Sequence, residues 1–382
     1  MNKIKHVKIG GFRRLYDLNL PVRPLMVLIG GNGVGKTSLL DALSLLSASA
    51  AGGLRSKLSE IGGVTSILTR EKAAAVSLLV DMEVPGYEPL EYEICLSPKG
   101  TGYAISHEIL SQKREGYDEP FKHIDSHEGE IRYYETEQRR LVRPDWEHSP
   151  LETSLSQVPK MFRQPEELRR ILGSATQYHT LDVGPRAPVK QPQQMKPAEL
   201  PGADGSELVS YLYYLREDDP ARFESIVDSL RVAFKDFDYL NFPPVAAGML
   251  TMTWKDKNFA KPLYMHELSE GTLRFLWLVS LLQSSGLSTI TMIDEPEVSL
   301  HPELLSLLAD LMREASRRTQ LVVATHSDRF IRFLSPEEVV VIDIDEDGYG
   351  SATWADTMNL EEWLKDYSLD EVWSMGRMGG RS

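Results

Sequence analysis

The chain has 382 residues, 42% of them hydrophobic and 26% charged, and its 42 basic and 56 acidic side chains leave a formal charge of −14. That balance argues against a protein that coats nucleic acid through an overall basic surface, and a single cysteine, Cys95, excludes an internal disulfide or a cysteine zinc cage. No window approaches 18 uninterrupted apolar residues and the N-terminus has no apolar signal core, so a cytoplasmic protein without a membrane span is expected.

Residues 4–10 and 15–20 alternate in polarity and predict a hairpin around Gly10-Gly11. Residues 25–29 (LMVLI) are continuously apolar, as in a strand covered on both faces of a parallel sheet. A glycine-rich turn then leads into a helix over 37–50. Residues 76–106 and 130–136 return to strand patterning and predict an antiparallel sub-sheet. Helices follow at 165–172, from a capping-box pair Asp204 and Glu207 to about 215, and at 220–234. Between them, 184–201 holds five prolines and reads as a loop or lid. The last third alternates: strand 249–254, helix 271–282, strand 289–293, helix 302–316, strands 321–324 and 339–344. That order predicts an α/β fold with a mostly parallel core sheet.

The strongest chemical signal is Gly30-Gly31-Asn32-Gly33-Val34-Gly35-Lys36-Thr37, followed by Ser38. It satisfies G-x-x-x-x-G-K-[ST] between a buried strand and a helix. Glycines let the backbone curl its N–H groups around one anion, and the helix start adds its positive end. Lys36 is placed to reach the β- and γ-phosphates, and Thr37 to ligate Mg²⁺. A second acidic station comes from TITMI ahead of Asp294-Glu295, which delivers Asp294 to the C-terminal edge of a buried strand, where open parallel sheets bind ligands. Asp294 is the expected metal ligand and Glu295 the residue that orients or deprotonates attacking water. Ser269, Glu270 and Gly271 stand where another helix begins, a second anion-binding terminus. One nucleotide does not need two such sites on one chain. The arrangement makes sense if this terminus serves a nucleotide held by another copy. His326, after the strand LVVAT, is a candidate sensor of the γ-phosphate.

In this combination the chain resembles the ABC-type ATPases of the RecF, SMC and OLD group, and most closely their short AAA-family members. The matching segments are KHVKIGGFRRL, GGNGVGKTSLL, LSEGTLRFLWL, TMIDEPEVSLHPELL and VVATHSDRFI, in the order of that group. The resemblance implies a P-loop NTPase head using ATP and Mg²⁺. It makes Lys36 and Thr37 the Walker A pair and Asp294 and Glu295 the Walker B pair. Leu268–Thr272 becomes a signature loop acting in trans, Ser299–Pro302 a D-loop, His326 the switch histidine, and Arg13 an arginine that approaches the nucleotide. Departures are an LSEGT signature and no evident Q-loop glutamine, Gln112 lying in a charged stretch that reads as a loop. No coiled coil and no TOPRIM nuclease segment is present in the sequence.

The expected organisation is one head: 1–136 with Walker A and the β sub-sheet, 137–245 as a helical insertion or lid, and 246–382 with signature, Walker B, D-loop and switch histidine. The expected function is Mg-dependent ATP hydrolysis coupled to homodimerisation. The chain would be the ATPase subunit of a prokaryotic defence or toxin-type complex that controls a separately encoded effector, such as a nuclease. The alternative is a RecF-like DNA-repair clamp, for which Arg139, Arg140, Arg143, Lys160, Arg163, Arg169 and Arg170 offer a locally basic face. A transporter ATPase fits poorly, because the signature lies far beyond Thr37. His123-Ile124-Asp125-Ser126-His127 has metal-ligand spacing but too few ligands. The tail from Glu371 and Trp373 to Gly380 and Arg381 reads as docking on the core or meeting a partner.

Overall fold

The computed structural model describes residues 3–84, 86–114 and 116–379. Its centre is a six-stranded sheet in the order Thr176–Tyr178, Ile290–Asp294, Gln320–Ala324, Leu25–Ile29, Val339–Ile344, Gly350–Trp354. The first five strands are parallel and the last pairs antiparallel. Every residue of Leu25–Ile29 and of Gln320–Ala324 is buried. Successive side chains of a strand leave opposite faces, so an all-apolar run needs a hydrophobic layer on each side. Both layers are present. Leu25, Val27, Ile29, Leu321, Val323, Val339 and Val341 enter one core cluster, whereas Met26, Leu28, Val322, Ala324, Val340 and Ile342 enter the other.

The first layer is helical, with Leu208–Asp218, Pro220–Ala233, Glu270–Leu282 and Glu303–Ala315. The second holds the helix Lys36–Ala51 beneath an eight-stranded antiparallel sheet. That sheet runs Leu15–Pro21, Ile4–Phe12, Val76–Met82, Leu90–Lys99, Gly102–Gln112, Phe121–His127, Tyr133–Glu135, Arg140–Val142. Val76–Met82 shows the expected alternation, with Val76, Leu78, Val80 and Met82 buried and the residues between them half-buried. Gly52, in the left-handed region at φ 79°, ends the Lys36–Ala51 helix.

Several expectations change. Within residues 137–245 short strands accompany the helices. Arg140–Val142 extends the antiparallel sheet, Thr176–Tyr178 adds an edge strand to the parallel one, and Arg163–Gly173 packs against Lys36–Ala51. Buried Glu108 pins this segment by accepting the backbone N–H groups of Ser154 and Leu155. The capping box at 204–207 does not form. Asp204 instead accepts the N–H of Ser206 in a local turn, and the helix starts at Leu208. Residues 249–254 split into Met249–Leu250 and Thr253–Asp256, which join different small sheets. The proline-rich stretch 184–201 is fixed in place. Ala187 and Val189 are buried, and the Gln193 amide donates to the Gly205 carbonyl and accepts from the Val209 N–H. Gln112 ends a strand, buried, with its amide donating to the Glu88 carbonyl. The tail docks: Val372, Trp373 and Met378 join the helical-side core, while Gly380 and Arg381 lie outside the described residues.

Candidate active site

Three parallel strands end side by side, and each hands its next residues to one edge of the sheet. After Leu25–Ile29 comes the phosphate loop, after Ile290–Asp294 comes Glu295, and after Gln320–Ala324 come Thr325 and His326. The register aligns Asp294 with Ala324. Gly30 is required by close approach: a Cβ there would lie 2.2 Å from the Ile342 carbonyl oxygen, at φ 153°. Asn32, Gly33 and Thr37 are exposed, Gly31 is half-buried, and Val34, Gly35 and Ser38 are buried beneath them. The helix Lys36–Ala51 opens at Gly35 with no side-chain cap and no acidic residue in its first turn. Its free N–H groups and positive dipole end are therefore available to an anion.

Lys36 is 3% exposed and folds back on the loop, its ammonium donating to the carbonyls of Gly30 at 2.6 Å and Gly31 at 2.7 Å. Burial lowers its pKa to about 8 against the opposing pull of Glu295 and Asp294. Burial raises the Asp294 carboxyl, and the nearby charge of Glu295 adds to the shift. Glu295 sits in the left-handed region at φ 49°, a conformation that costs a non-glycine residue about 1 kcal/mol and is concentrated at functional sites. Its backbone N–H is held by the Ala324 carbonyl, and its carboxylate lies 3.7 Å from His326 Nε2. Burial and then Lys36 lower the His326 pKa, favouring the neutral ring. Lys36, Asp294, Glu295 and His326 thus form one electrostatic group. Arg13, in a left-handed conformation, pairs with Asp41 of the phosphate-loop helix at 2.6 Å, one turn beyond Thr37.

The donor set suits a hard divalent cation. The exposed Thr37 hydroxyl and the half-buried Asp294 carboxylate are oxygen donors of the kind such a cation takes, and the crowding of Asp294 by Glu295 is a condition that a cation would relieve.

The second helix terminus is built differently. Ser269 caps Glu270–Leu282, its hydroxyl accepting the Thr272 N–H at 3.1 Å. Among the described residues, no hydrogen bond joins Ser269, Glu270 or Gly271 to residues 30–38. Gly271 instead faces the segment after Walker B, where a Cβ would lie 2.5 Å from the Ser299 carbonyl oxygen. Arg274 strengthens that seam, donating to Ser299 Oγ at 2.6 Å and to the carbonyls of Val298 and Leu181.

Sequence reasoning missed three residues here. Glu297, largely buried, accepts from the Thr325 hydroxyl and from the His326 N–H, so it ties the Walker B turn to the switch loop. Within DEPE it looks like ordinary surface composition. His179 follows Thr176–Tyr178, whose Tyr178 is in register with Ile293, and its charge acts on Asp294. A three-residue strand (TQY) carries too little pattern to announce it. Arg274 is indistinguishable in sequence from a solvated helical arginine.

Residues 25–332 match the family model described as "AAA domain, putative AbiEii toxin, Type IV TA system". The chain belongs to this AAA family. Its fold is that of a P-loop ATPase head, as solved structures also show. The SMC head bound to the C-terminal winged-helix domain of ScpA aligns with TM-score 0.58 at 13% identity, covering 92% of this chain and 97% of that one. An SMC head with an extended coiled coil from Pyrococcus furiosus aligns at 0.55 and 11% identity, covering 96% and 100%. The SMC head domain of Thermotoga maritima aligns at 0.50 and 14%, covering 92% and 98%. In sequence, the chain is 40% identical over 53 residues to an OLD nuclease of Thermus scotoductus, a match spanning 14% of this chain and 10% of that protein. The chain is therefore an AAA-family protein with the fold of a P-loop ATPase head. No helix among its described residues is long and apolar enough to cross a membrane.

Proposed function

We propose that the chain hydrolyses ATP between two copies of itself. The reading rests on one observation: Lys36, Asp294, Glu295 and His326 converge at one sheet edge, while the capped terminus at Ser269 has no hydrogen bond to that edge. Across a two-fold axis, Ser269, Glu270 and Gly271 of one copy would meet the phosphates held by the loop of the other. A ligand bridging both subunits stabilises only the pair, so ATP would gate assembly.

In this mechanism the loop amides from Gly31 to Ser38 bind the phosphates, and Lys36 leaves its two carbonyls for the β,γ-bridge. Thr37 and Asp294 would hold Mg²⁺, which neutralises phosphate charge when bound. Glu295 takes the proton of the attacking water. Neutral His326 donates to the γ-phosphate from beside Glu295, held there by Glu297. His179 stands beside Asp294, and its charge would favour the ionised carboxylate. The chemistry is in-line attack on the γ-phosphorus, with the proton passing to Glu295 and ADP leaving.

At the biological level we infer an ATPase subunit of a toxin-type or defence complex acting on a separately encoded effector. The family description and the short OLD match support this reading. A RecF-like clamp draws less support, because three of the seven basic residues of that face are engaged within the chain. Arg140 donates to Gln138, Arg143 pairs with Glu130, and Arg169 pairs with Glu166 and donates to the Leu155 and Val158 carbonyls. The test is Glu295→Gln with ATP and Mg²⁺. It should retain nucleotide, stop turnover and run at twice the 43.1 kDa monomer mass. Turnover at the unmutated rate would overturn the assignment.

A further inference from the structure

A second cavity, of about 330 Å³, lies at the far end of the antiparallel sheet. The register places it there. Gly10, Ser77, Cys95, His107 and His127 form one row beside the phosphate-loop end, while Gln112 and Phe121 pair at the other. Its volume falls at the lower end of small-molecule pockets, roughly 300–1,000 Å³.

The lining is aromatic and basic. Phe121 carries the Arg114 guanidinium 3.6 Å from its ring centroid and meets Tyr134 edge-on at 4.5 Å. Phe162 and Arg163 close the opposite wall at the start of the eleven-residue helix Arg163–Gly173. The N–H groups of Arg163 and Gln164 have no intrahelical acceptors; Pro165 carries none, and Glu166 follows in the same turn. No carboxylate lines the cavity among the described residues, and neither Arg114 nor Arg163 has an ion-pair partner among them. In a chain of charge −14 that is a selective arrangement. His123 also lines the cavity. It is 9% exposed, and its Nε2 has no hydrogen-bond partner. Burial and the charge of Arg114 hold its pKa near 4, so the ring is neutral at pH 7 and offers one unmet polar atom.

We propose that this cavity binds one nucleotide unit, the base stacked among Phe121, Tyr134 and Phe162 and the phosphate held by Arg114, Arg163 and the helix start. Base–aromatic stacking contributes about 1–3 kcal/mol per base and tolerates any base. An aromatic ring without heteroatoms, such as that of phosphotyrosine, would leave His123 Nε2 unmet, whereas a base edge supplies it with a partner. A free nucleotide and the end of a single strand share this chemistry, and the test separates them. The inference does not depend on the ATPase reading.

The test uses the full chain carrying Lys36→Ala, so that the phosphate loop does not report. Binding of AMP is followed by calorimetry, and binding of a short 5′-phosphorylated oligo(dT) by fluorescence anisotropy, with phosphotyrosine as competitor. Saturable binding below about 1 mM, weakened at least about tenfold by Arg163→Glu and unaffected by Arg170→Glu on the same helix, supports the site. Equal affinity for AMP and the strand identifies a free nucleotide, and tighter binding of the strand identifies a nucleic-acid end. Arg114→Ala and Arg163→Glu alter exposed side chains, so retained circular dichroism separates lost binding from lost fold. No saturation by either probe, unchanged affinity in both variants, or preference for phosphotyrosine would overturn the proposal.

Discussion

Replacing Lys36 by methionine should leave the nucleotide-free protein about as stable at pH 7, make it less stable than the parent near pH 10, and remove its response to ATP. The side chain is buried in a loop built for an anion, and its pKa falls from 10.5 to about 8. A lowered folded-state value means the unfolded chain holds the proton more tightly from pH 8 to 10.5. Stability from this group therefore rises with pH across that window, and its cost is complete below pH 8. At pH 7 the shift corresponds to about 3 kcal/mol. Methionine removes that cost but forfeits two charge-assisted hydrogen bonds, to Gly30 and Gly31, worth about 1.5 kcal/mol each. The two effects nearly cancel at pH 7, and near pH 10, where the cost has largely gone, the variant should be less stable than the parent by about 2 kcal/mol. Urea unfolding of both proteins at the two pH values measures it, and titrating groups remote from Lys36 cancel in the difference. A difference that does not change with pH, or that moves in the variant's favour as pH rises, would refute the reasoning. ATP with Mg²⁺ should raise the melting temperature of the parent and leave the variant unmoved.

Ser269→Arg should leave the monomer folded and abolish ATP-driven pairing, read by light scattering; pairing at the parental ATP concentration would count against a trans role. Gly271→Ala tests the seam with Ser299. Alanine alone favours a helix by about 1 kcal/mol over glycine, but its Cβ meets a backbone oxygen 2.5 Å away. Forced repacking costs about 1–3 kcal/mol, so urea unfolding should show a net loss together with slower turnover. Glu297→Ala, which strips acceptors from Thr325 and His326, should lower kcat with little change in KM. Glu297→Gln, which keeps an acceptor for the Thr325 hydroxyl, should recover most of that loss.

The legible parts of the fold were those whose pattern is dictated locally and completely. Leu25–Ile29 and Val339–Ile344 appear with the expected bounds, because a strand buried on both faces admits few polar residues. The phosphate loop was legible because its glycines answer to backbone approach, as at Gly30 beneath Ile342. Thr176–Tyr178 was illegible, since its stability comes from Ile290–Asp294 alongside and not from its own three residues. The capping box at 204–207 misled because an Asx turn uses the same aspartate, and Gly205 at φ 73° breaks the helical path between the two acids. Residues 249–254 read as one strand because polarity alternation says nothing about which sheet each half joins. At the site, Glu297 and His179 act through distant partners in the chain, and a single sequence carries no trace of such pairing.

The central strand also has a bearing on how the protein is made. Leu25 finds its neighbour at Leu321, and Val27 finds its other neighbour at Val339. Even Ile4 is clasped through its backbone by the side chain of Gln320. Nearly the whole chain must leave the ribosome before this strand gains either flank. Until then a five-residue apolar ribbon stands with two bare edges, a state that invites misassociation. Such long-range closure is slow to form. The antiparallel hairpins, complete by residue 142, assemble from near neighbours and give the nascent chain a folded shelter against which Met26 and Leu28 can wait.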